Sequence, residues 1–306
     1  MGLIKAFAGA VGGTLADSWK EYFYCDSLNN DVLVSKGQKR INNGTSNTQT
    51  EENIITSGSN LIVNNGQCML IVEQWKVREL CSEPGEYIYD SEKTASIFSG
   101  DLGTGVKNTF NNVGERYGYG GNAPMDQRIY YFNVKEIVDN RFGTATPIPF
   151  RIVDKSLNLD IDVTIRCNGV YSFKIKDPIV FYTNVCGNVD NIYNKETIKN
   201  QMRNELMSAM QSAFGKLSNQ GLRPNEIVNH CKELEELLNV ELSNMWYKKR
   251  GVKISSISLS SVSLTEQDQN IIKEAQRNAM LKDTTMAAAT LVGAQAEALK
   301  EAAKNW

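Results

Sequence analysis

The chain has 306 residues, enough for two modest domains and a helical extension, and 41% of them are apolar, which supplies ordinary cores and excludes a disordered chain. Thirty-three Lys and Arg stand against thirty-five Asp and Glu, a net charge of −2, so no global field draws the protein to nucleic acid. The six cysteines, Cys25, Cys68, Cys81, Cys167, Cys186 and Cys231, form no C-x-x-C pair, which argues against a zinc or redox site and for free thiols in a reducing compartment.

At the N-terminus Leu3, Phe7, Val11, Leu15, Trp19 and Phe23 recur every four residues, with Ile4 and Ala8 beside them. This spacing predicts an amphipathic helix over residues 1–25. The run from Ala6 to Ala16 is too short and too rich in glycine for a span of about 20 apolar residues. Lys5 is the only early positive charge and no small-residue cleavage site follows, so a signal peptide is not expected. Ala6 stands where an N-myristoylation motif requires Ser or Thr. The expected membrane contacts are Leu3, Ile4, Phe7, Val11, Leu15 and Trp19, lying in a bilayer surface. The alternative is that the same face docks on its own domain or on a neighbouring subunit.

Residues 41–60 are polar and glycine-punctuated, a loop or insertion; Asn43-Gly44-Thr45 fits a glycosylation pattern but reads as loop chemistry. Met69-Leu70-Ile71-Val72 is an apolar run of strand length, and Val77, Glu79 and Cys81 alternate with Arg78 and Leu80, so a hairpin is expected with Glu73-Gln74-Trp75-Lys76 as the connection. Pro84-Gly85 suits a type II turn before the strand Tyr87-Ile88-Tyr89. Residues 91–125 form a second irregular region, with a short helix expected near 106–113. There Gly100-Asp101-Leu102-Gly103-Thr104-Gly105-Val106-Lys107 imitates a phosphate loop. That loop needs Lys directly after the last glycine and then Ser or Thr; Val106 and Asn108 break both requirements. The aromatic-glycine run Tyr117-Gly118-Tyr119-Gly120-Gly121 lacks the basic residues a nucleic-acid stacking site needs.

From Arg128 a regular alternating strand begins, and Pro147 and Pro149 mark an edge strand or linker, which places a domain boundary near residue 150. Asp160 and Asp162 share one face of a strand and Leu159, Ile161 and Val163 the other, a half-solvated strand rather than an acid-base or cation pair. Two helices follow. The first carries Ile198, Met202, Leu206, Met210, Ala213 and Leu217 as its buried stripe; the second opens at Pro224 and buries Ile227, Cys231, Leu234, Leu238 and Leu242. Lys248-Lys249-Arg250-Gly251 ends it, with cations at the negative end of the helix dipole. His230, the only histidine, neighbours Cys231, but adjacent helical positions do not let the two side chains face each other, so no Cys-His nucleophile is expected.

Apolar and polar residues alternate from Val252 to Leu264 with phase shifts at Ser255-Ser256 and Ser260-Ser261, as a bulge or bend would produce. Residues 265–306 then compose as one alanine-rich helix. Ile272, Ala279, Met286 and Gly293 fall on one position of a seven-residue grid, and Ala275, Ala289, Ala296 and Ala303 on another. A second stripe runs through Thr285, Val292, Leu299 and Trp306. This helix asks for neighbours on more than one face, and self-assembly through Ile272, Ala275, Ala279, Met286, Ala289, Gly293 and Ala296 is the expectation, against a free alanine helix.

The order strand, return, strand, Glu83-Pro84-Gly85, aromatic strand over 67–90, followed by the alternating strand pair from Leu159 to Asp177-Pro178, two helices, a short strand near 251–254 and a long helix, resembles the SPFH (stomatin, prohibitin, flotillin; band 7) superfamily across roughly residues 26–304. The opening Met1-Gly2-Leu3-Ile4-Lys5-Ala6 and Asp17-Ser18-Trp19-Lys20-Glu21-Tyr22-Phe23-Tyr24 are similar to its soluble bacterial virion core protein-like branch. The resemblance implies an α+β fold: an N-terminal helix over 1–25, SPFH subdomains over 26–150 and 151–263 with mixed or antiparallel sheets and packing helices, and a long alanine-rich oligomerising helix over 264–306. It further implies a non-enzymatic membrane-associated scaffold that forms a large homo-oligomeric ring or cage. Such a scaffold would sit peripherally on the cytoplasmic, inner face of a bacterial cell membrane, serve envelope stress or membrane organisation, and have phage-shock-type or small integral membrane proteins as partners. No cofactor, metal or nucleic acid is expected. The competing expectation is a soluble homo-oligomeric interaction protein whose N-terminal helix is buried between subunits. The C-terminal zinc ribbon of some relatives has no counterpart, since no cysteine follows Cys231.

Overall fold

A computed structural model describes residues 2–5, 21–41, 53–90, 97–98, 126–154, 159–282, 292–293, 295–301 and 303, and it is α+β. The chain divides into two compact units, each discontinuous: Met1–Asn140, Tyr171–Leu206 and Asn239–Ser256 form one, and Arg141–Val170, Met207–Leu238 and Ile257–Trp306 the other. The sequence-based boundary near 150 therefore becomes a break between Asn140 and Arg141, because the strand that carries Pro149 pairs with the strand that follows it.

The first unit is a two-sheet sandwich. One sheet holds β1 (Gly2–Lys5), β2 (Glu21–Tyr24), β4 (Gln38–Ile41), β5 (Asn60–Val63) and β8 (Gly85–Asp90) in the order β1-β8-β5-β2-β4. The other holds β3 (Val32–Lys36), β6 (Gln67–Glu73), β7 (Lys76–Cys81), β9 (Ile97–Phe98), β10 (Gln127–Asn133) and β14 (Ile192–Asn194) in the order β14-β3-β10-β6-β7-β9. Phe23, Leu61, Val63, Tyr87 and Tyr89 face Met69, Ile71, Cys81, Ile129 and Tyr131 across one buried cluster. The other face of β6 and β10 is buried too, with Cys68, Leu70, Tyr130 and Phe132 all at 0% exposure. Phe181 meets Phe132 edge-on and Tyr182 stacks near Tyr130, so α1 (Pro178–Phe181) and its π-helical extension Tyr182–Cys186 supply that second cover. Burial on both sides is why these strands read as continuous apolar runs.

The expected helix over 1–25 is corrected at both ends: Gly2–Lys5 and Glu21–Tyr24 are strands, and residues 6–20 lie outside the described residues. Backbone pairing overrides the four-residue periodicity there, since Leu3 pairs with Tyr89, Ile4 with Ile88, and Phe23 with Leu61 in the sheet registers. Pro84-Gly85 is likewise not a type II turn. Gly85 already belongs to β8, with φ 153 in place of the value near +80 that such a turn requires.

The Asp177-Pro178 pair, part of the family-like signature, has a local cause. Asp177 accepts hydrogen bonds from the Ile179 and Val180 amides at 3.1 Å each, and Pro178 fills the first helical turn, where its missing N–H costs nothing. Lys176 and Asp177 both donate their backbone N–H to the Gly251 carbonyl, at 2.7 and 2.9 Å. Gly251 itself has φ 67, and a Cβ there would run into the Asp177 carbonyl oxygen.

The sheet β11-β13-β12 is built from β11 (Ile137–Gly143), β12 (Ile148–Asp154) and β13 (Leu159–Ile175), with β15 (Val252–Leu264) also on β13; β12 belongs to the second unit, and β11, β13 and β15 contribute residues to both units. Pro149 stands on β12, an edge strand, opposite Thr164. Asp160 and Asp162 are exposed as expected, and Asp160 forms a two-pronged pair with Arg151 at 2.7 and 2.6 Å. The buried positions of β15 shift phase after Ile254, with Val252 and Ile254 buried and then Ile257 and Leu259.

Helix α2 (Glu196–Asn219) buries the whole predicted stripe, from Ile198 at 9% to Leu206, Met210, Ala213 and Leu217 at 0%. The second predicted helix is interrupted: a 3-10 turn at Ile227–His230 leads into α3 (Cys231–Glu241) and a π-helical segment at Ser243–Lys248. Leu234, Leu238 and Leu242 are buried and Cys231 is half-buried. The expected 265–306 helix is described as α4 (Glu266–Lys282), and residues 292–293, 295–301 and 303 are again helical; 283–291 lie outside the described residues. At its start the Asp268 amide donates to the Thr265 hydroxyl at 3.4 Å, an N-cap bond, and the Asp268 carboxylate accepts the Thr265 hydroxyl at 2.6 Å and the Thr164 amide at 2.9 Å.

Candidate functional site

Among the described residues no group of His, Cys, Asp and Glu is placed to hold a metal ion. His230 Nδ1 lies 3.3 Å from Glu233 and the Cys231 thiol donates to the Val228 carbonyl, so each has a local partner on its own turn. The phosphate-loop imitation at 100–107, the short helix at 106–113 and the Tyr117-Gly118-Tyr119 run lie outside the described residues. All six thiols are free, and burial raises Cys68 well above the ordinary thiol value, Cys167 to about 11 and Cys186 to about 12.

The expected hairpin forms with a two-residue loop, since Glu73 pairs with Lys76. Gln74 and Trp75 have φ of 46 and 68, the pair of left-handed conformations that a type I′ turn demands and that Asn-Gly normally fills. The Trp75 ring is 66% exposed, and the Arg128 guanidinium lies over it at 5.2 Å. One residue further, the ladder slips: Ile71 pairs with Glu79 and Val72 with Val77, so Arg78 is a bulge residue.

That bulge gathers a buried polar cluster which alternation alone did not reveal. Glu73 and Glu79 are each 1% exposed, Arg78 Nε stands 2.7 Å from Glu73, and Gln127 donates to both Glu73 at 3.0 Å and the Tyr89 hydroxyl at 2.9 Å. Gln127 in turn accepts the Ile55 amide at 3.0 Å. Burial, and then the Glu73 charge, push the Tyr89 hydroxyl up to about 12. The signal available beforehand was Glu73, the one charged residue of the otherwise apolar run in β6. On the first sheet, Tyr22, Tyr24, Asp26, Arg40, Ile62 and Asn64 line an open groove of about 480 Å³.

The profile of the SPFH domain-Band 7 family matches residues 47–280, well over half of the chain. The chain belongs to the SPFH/band 7 family. No curated protein matches it. For a member of this family the surfaces that matter are those that meet membrane and other subunits, and no described helix of this SPFH protein is long and apolar enough to cross a bilayer. Of the expected membrane contacts, Leu3 and Ile4 lie in β1, and Phe7, Val11, Leu15 and Trp19 lie outside the described residues. Of the expected assembly residues, Ile272 and Ala275 are half-buried on α4, which also carries Ala279; Gly293 and Ala296 are helical and exposed; Met286 and Ala289 lie outside the described residues. The second stripe is larger than the alanine pattern suggested. Ile271, Val292 and Leu299 fall on the same position of the seven-residue grid, and they are exposed by 42%, 66% and 71%.

Proposed function

We propose that this SPFH protein is a non-enzymatic scaffold that attaches peripherally to the cytoplasmic face of a bacterial membrane and self-assembles there into a large ring or cage, in envelope stress or membrane organisation. Family membership supports the general class of membrane-associated oligomeric scaffold. The observation that carries the assembly is the uncovered stripe Ile271, Val292 and Leu299: large apolar side chains repeating by sevens are buried when helices of several copies pack together. The apolar side chains of Phe7, Val11, Leu15 and Trp19 are assigned the lipid contact. Phage-shock-type or small integral membrane proteins are the partners this role would serve.

The test is flotation of the purified chain with liposomes, together with electron microscopy of the bound fraction. Closed rings or cages are expected, and Phe7→Asp should reduce flotation strongly, since burying such a side chain is worth roughly 1.5–3 kcal/mol. Removing residues 1–24 outright is a poorer test, because it deletes β1 and β2 from the sheet. The membership of Gly2–Lys5 in that sheet also favours a second reading, a soluble homo-oligomer whose N-terminal segment packs on protein. A monomeric chain at micromolar concentration, with and without lipid, would defeat both.

A further inference from the structure

The Gln74-Trp75 tip of the β6–β7 hairpin combines features that a turn alone does not require. Two consecutive residues other than glycine hold left-handed conformations, with φ of 46 and 68, where Asn-Gly would serve at lower conformational cost. The second of them is tryptophan, a residue poorly suited to that conformation, and its ring is turned out to solvent at 66% exposure. Arg128 lies against the ring at 5.2 Å and is itself fixed to Asp126 at 2.9 Å; the Asp126 carbonyl accepts the Gln74 amide at 2.9 Å, so ring, cation and turn are braced as a unit. Lys76 follows at the first position of β7.

We infer that Trp75, flanked by Arg128 and Lys76, is a second bilayer contact, seating its indole at the headgroup level of the membrane; this rests on the membrane attachment proposed above. Tryptophan prefers that boundary, where its apolar ring meets acyl chains and its N–H meets water. A protein partner fits less well. The tip is a two-residue loop, and a specific protein interface needs about 800 Å² on each partner. The contact would fix which end of the first unit faces the lipid, independently of the N-terminal segment.

The experiment compares the full chain with Trp75→Ala and Trp75→Phe on vesicles of mixed phosphatidylcholine and phosphatidylglycerol, with circular dichroism confirming the fold. Trp75→Ala should weaken partition roughly tenfold and Trp75→Phe much less, as loss of one interfacial ring predicts. At lipid concentrations that bind both proteins fully, brominated acyl chains should quench the emission of the full chain more than that of Trp75→Ala. The other three tryptophans, Trp19, Trp246 and Trp306, are common to both proteins, so the quenching they contribute cancels in the comparison. Equal partition and equal quenching, with the full chain floating, would overturn this inference and leave the attachment reading intact. Failure of the full chain to float would overturn both. A Trp75-dependent emission change that follows protein concentration without vesicles would assign the tip to contacts between copies and overturn the lipid contact.

Discussion

Glu205 on α2 grips Arg250 with both carboxylate oxygens, Nη1 2.7 Å from Oε2 and Nη2 2.9 Å from Oε1, and Trp246 donates its indole N–H to the same Oε2 at 3.0 Å. Side-chain exposure is 10% for Glu205 and 20% for Arg250, so this pair is well shielded from solvent. Arg250 is thus more than a cation at a helix end: it fastens the π-helical segment to α2. Removing Glu205 strands a guanidinium and an indole N–H, and Glu205→Ala should cost about 2–3 kcal/mol, read as a lowered midpoint in urea.

The same carboxylate sets an acid limb. Burial pushes it up, but the hydrogen bonds from Arg250, Gln201 and Trp246 and the Arg250 charge outweigh burial and hold it below its ordinary value of 4.5. A depressed folded-state value means that the stabilisation is complete above that ordinary value and is lost as pH falls through the folded one. Thermal melts should therefore show the difference between the natural chain and Glu205→Gln shrinking as pH drops below 4.5. A difference that persists undiminished at the lowest pH would refute the coupling.

Gly169 on β13 lies so close to β15 that a Cβ would overlap the Ser258 carbonyl oxygen, with Phe142 also within 3.0 Å. Gly169→Ala must push backbone rather than a flexible side chain, and a loss of about 2–4 kcal/mol is expected in chemical denaturation. Gly293 has open space around it, so Gly293→Ala should leave stability unchanged or slightly raised.

The Arg151–Asp160 pair is short but exposed by 54% and 56%, so solvent and salt screen it. Asp160→Asn should leave the melting temperature unchanged, and added calcium or magnesium should not raise it for the natural chain. A rise that the double variant Asp160→Asn, Asp162→Asn removed would restore a cation role for these carboxylates.

Val292 and Leu299 provide the assembly test. Changing both to Glu should reduce particle size in light scattering while circular dichroism retains the strand signal, because charges placed in an apolar seam between copies stay unpaired. Ala289→Glu with Gly293→Glu asks the same of the small-residue positions. Unchanged particle size in both variants would remove α4 and the residues beyond it from the assembly.

Sequence alone determined whatever rests on local periodicity and local chemistry. The stripe of α2 was legible because a 3.6-residue period with apolar residues throughout has one way to be buried, and the 69–72 strand because a short apolar run beside a polar return closes on itself. The edge position of the strand with Pro149 follows from a missing N–H and a fixed φ. Tertiary structure decided the rest. The period-four pattern at the N-terminus gave way at Gly2–Lys5 because β8 offers that segment a ladder, and ladder bonds between distant residues leave no trace in spacing. The bulge at Arg78 lies beside two buried glutamates, of which Glu73 meets Gln127, the partner of Arg250 stands on another helix, and the division at Asn140 runs through strands rather than loops. Each of these depends on which distant residue lies opposite, a quantity set by packing and register that no window along the chain contains.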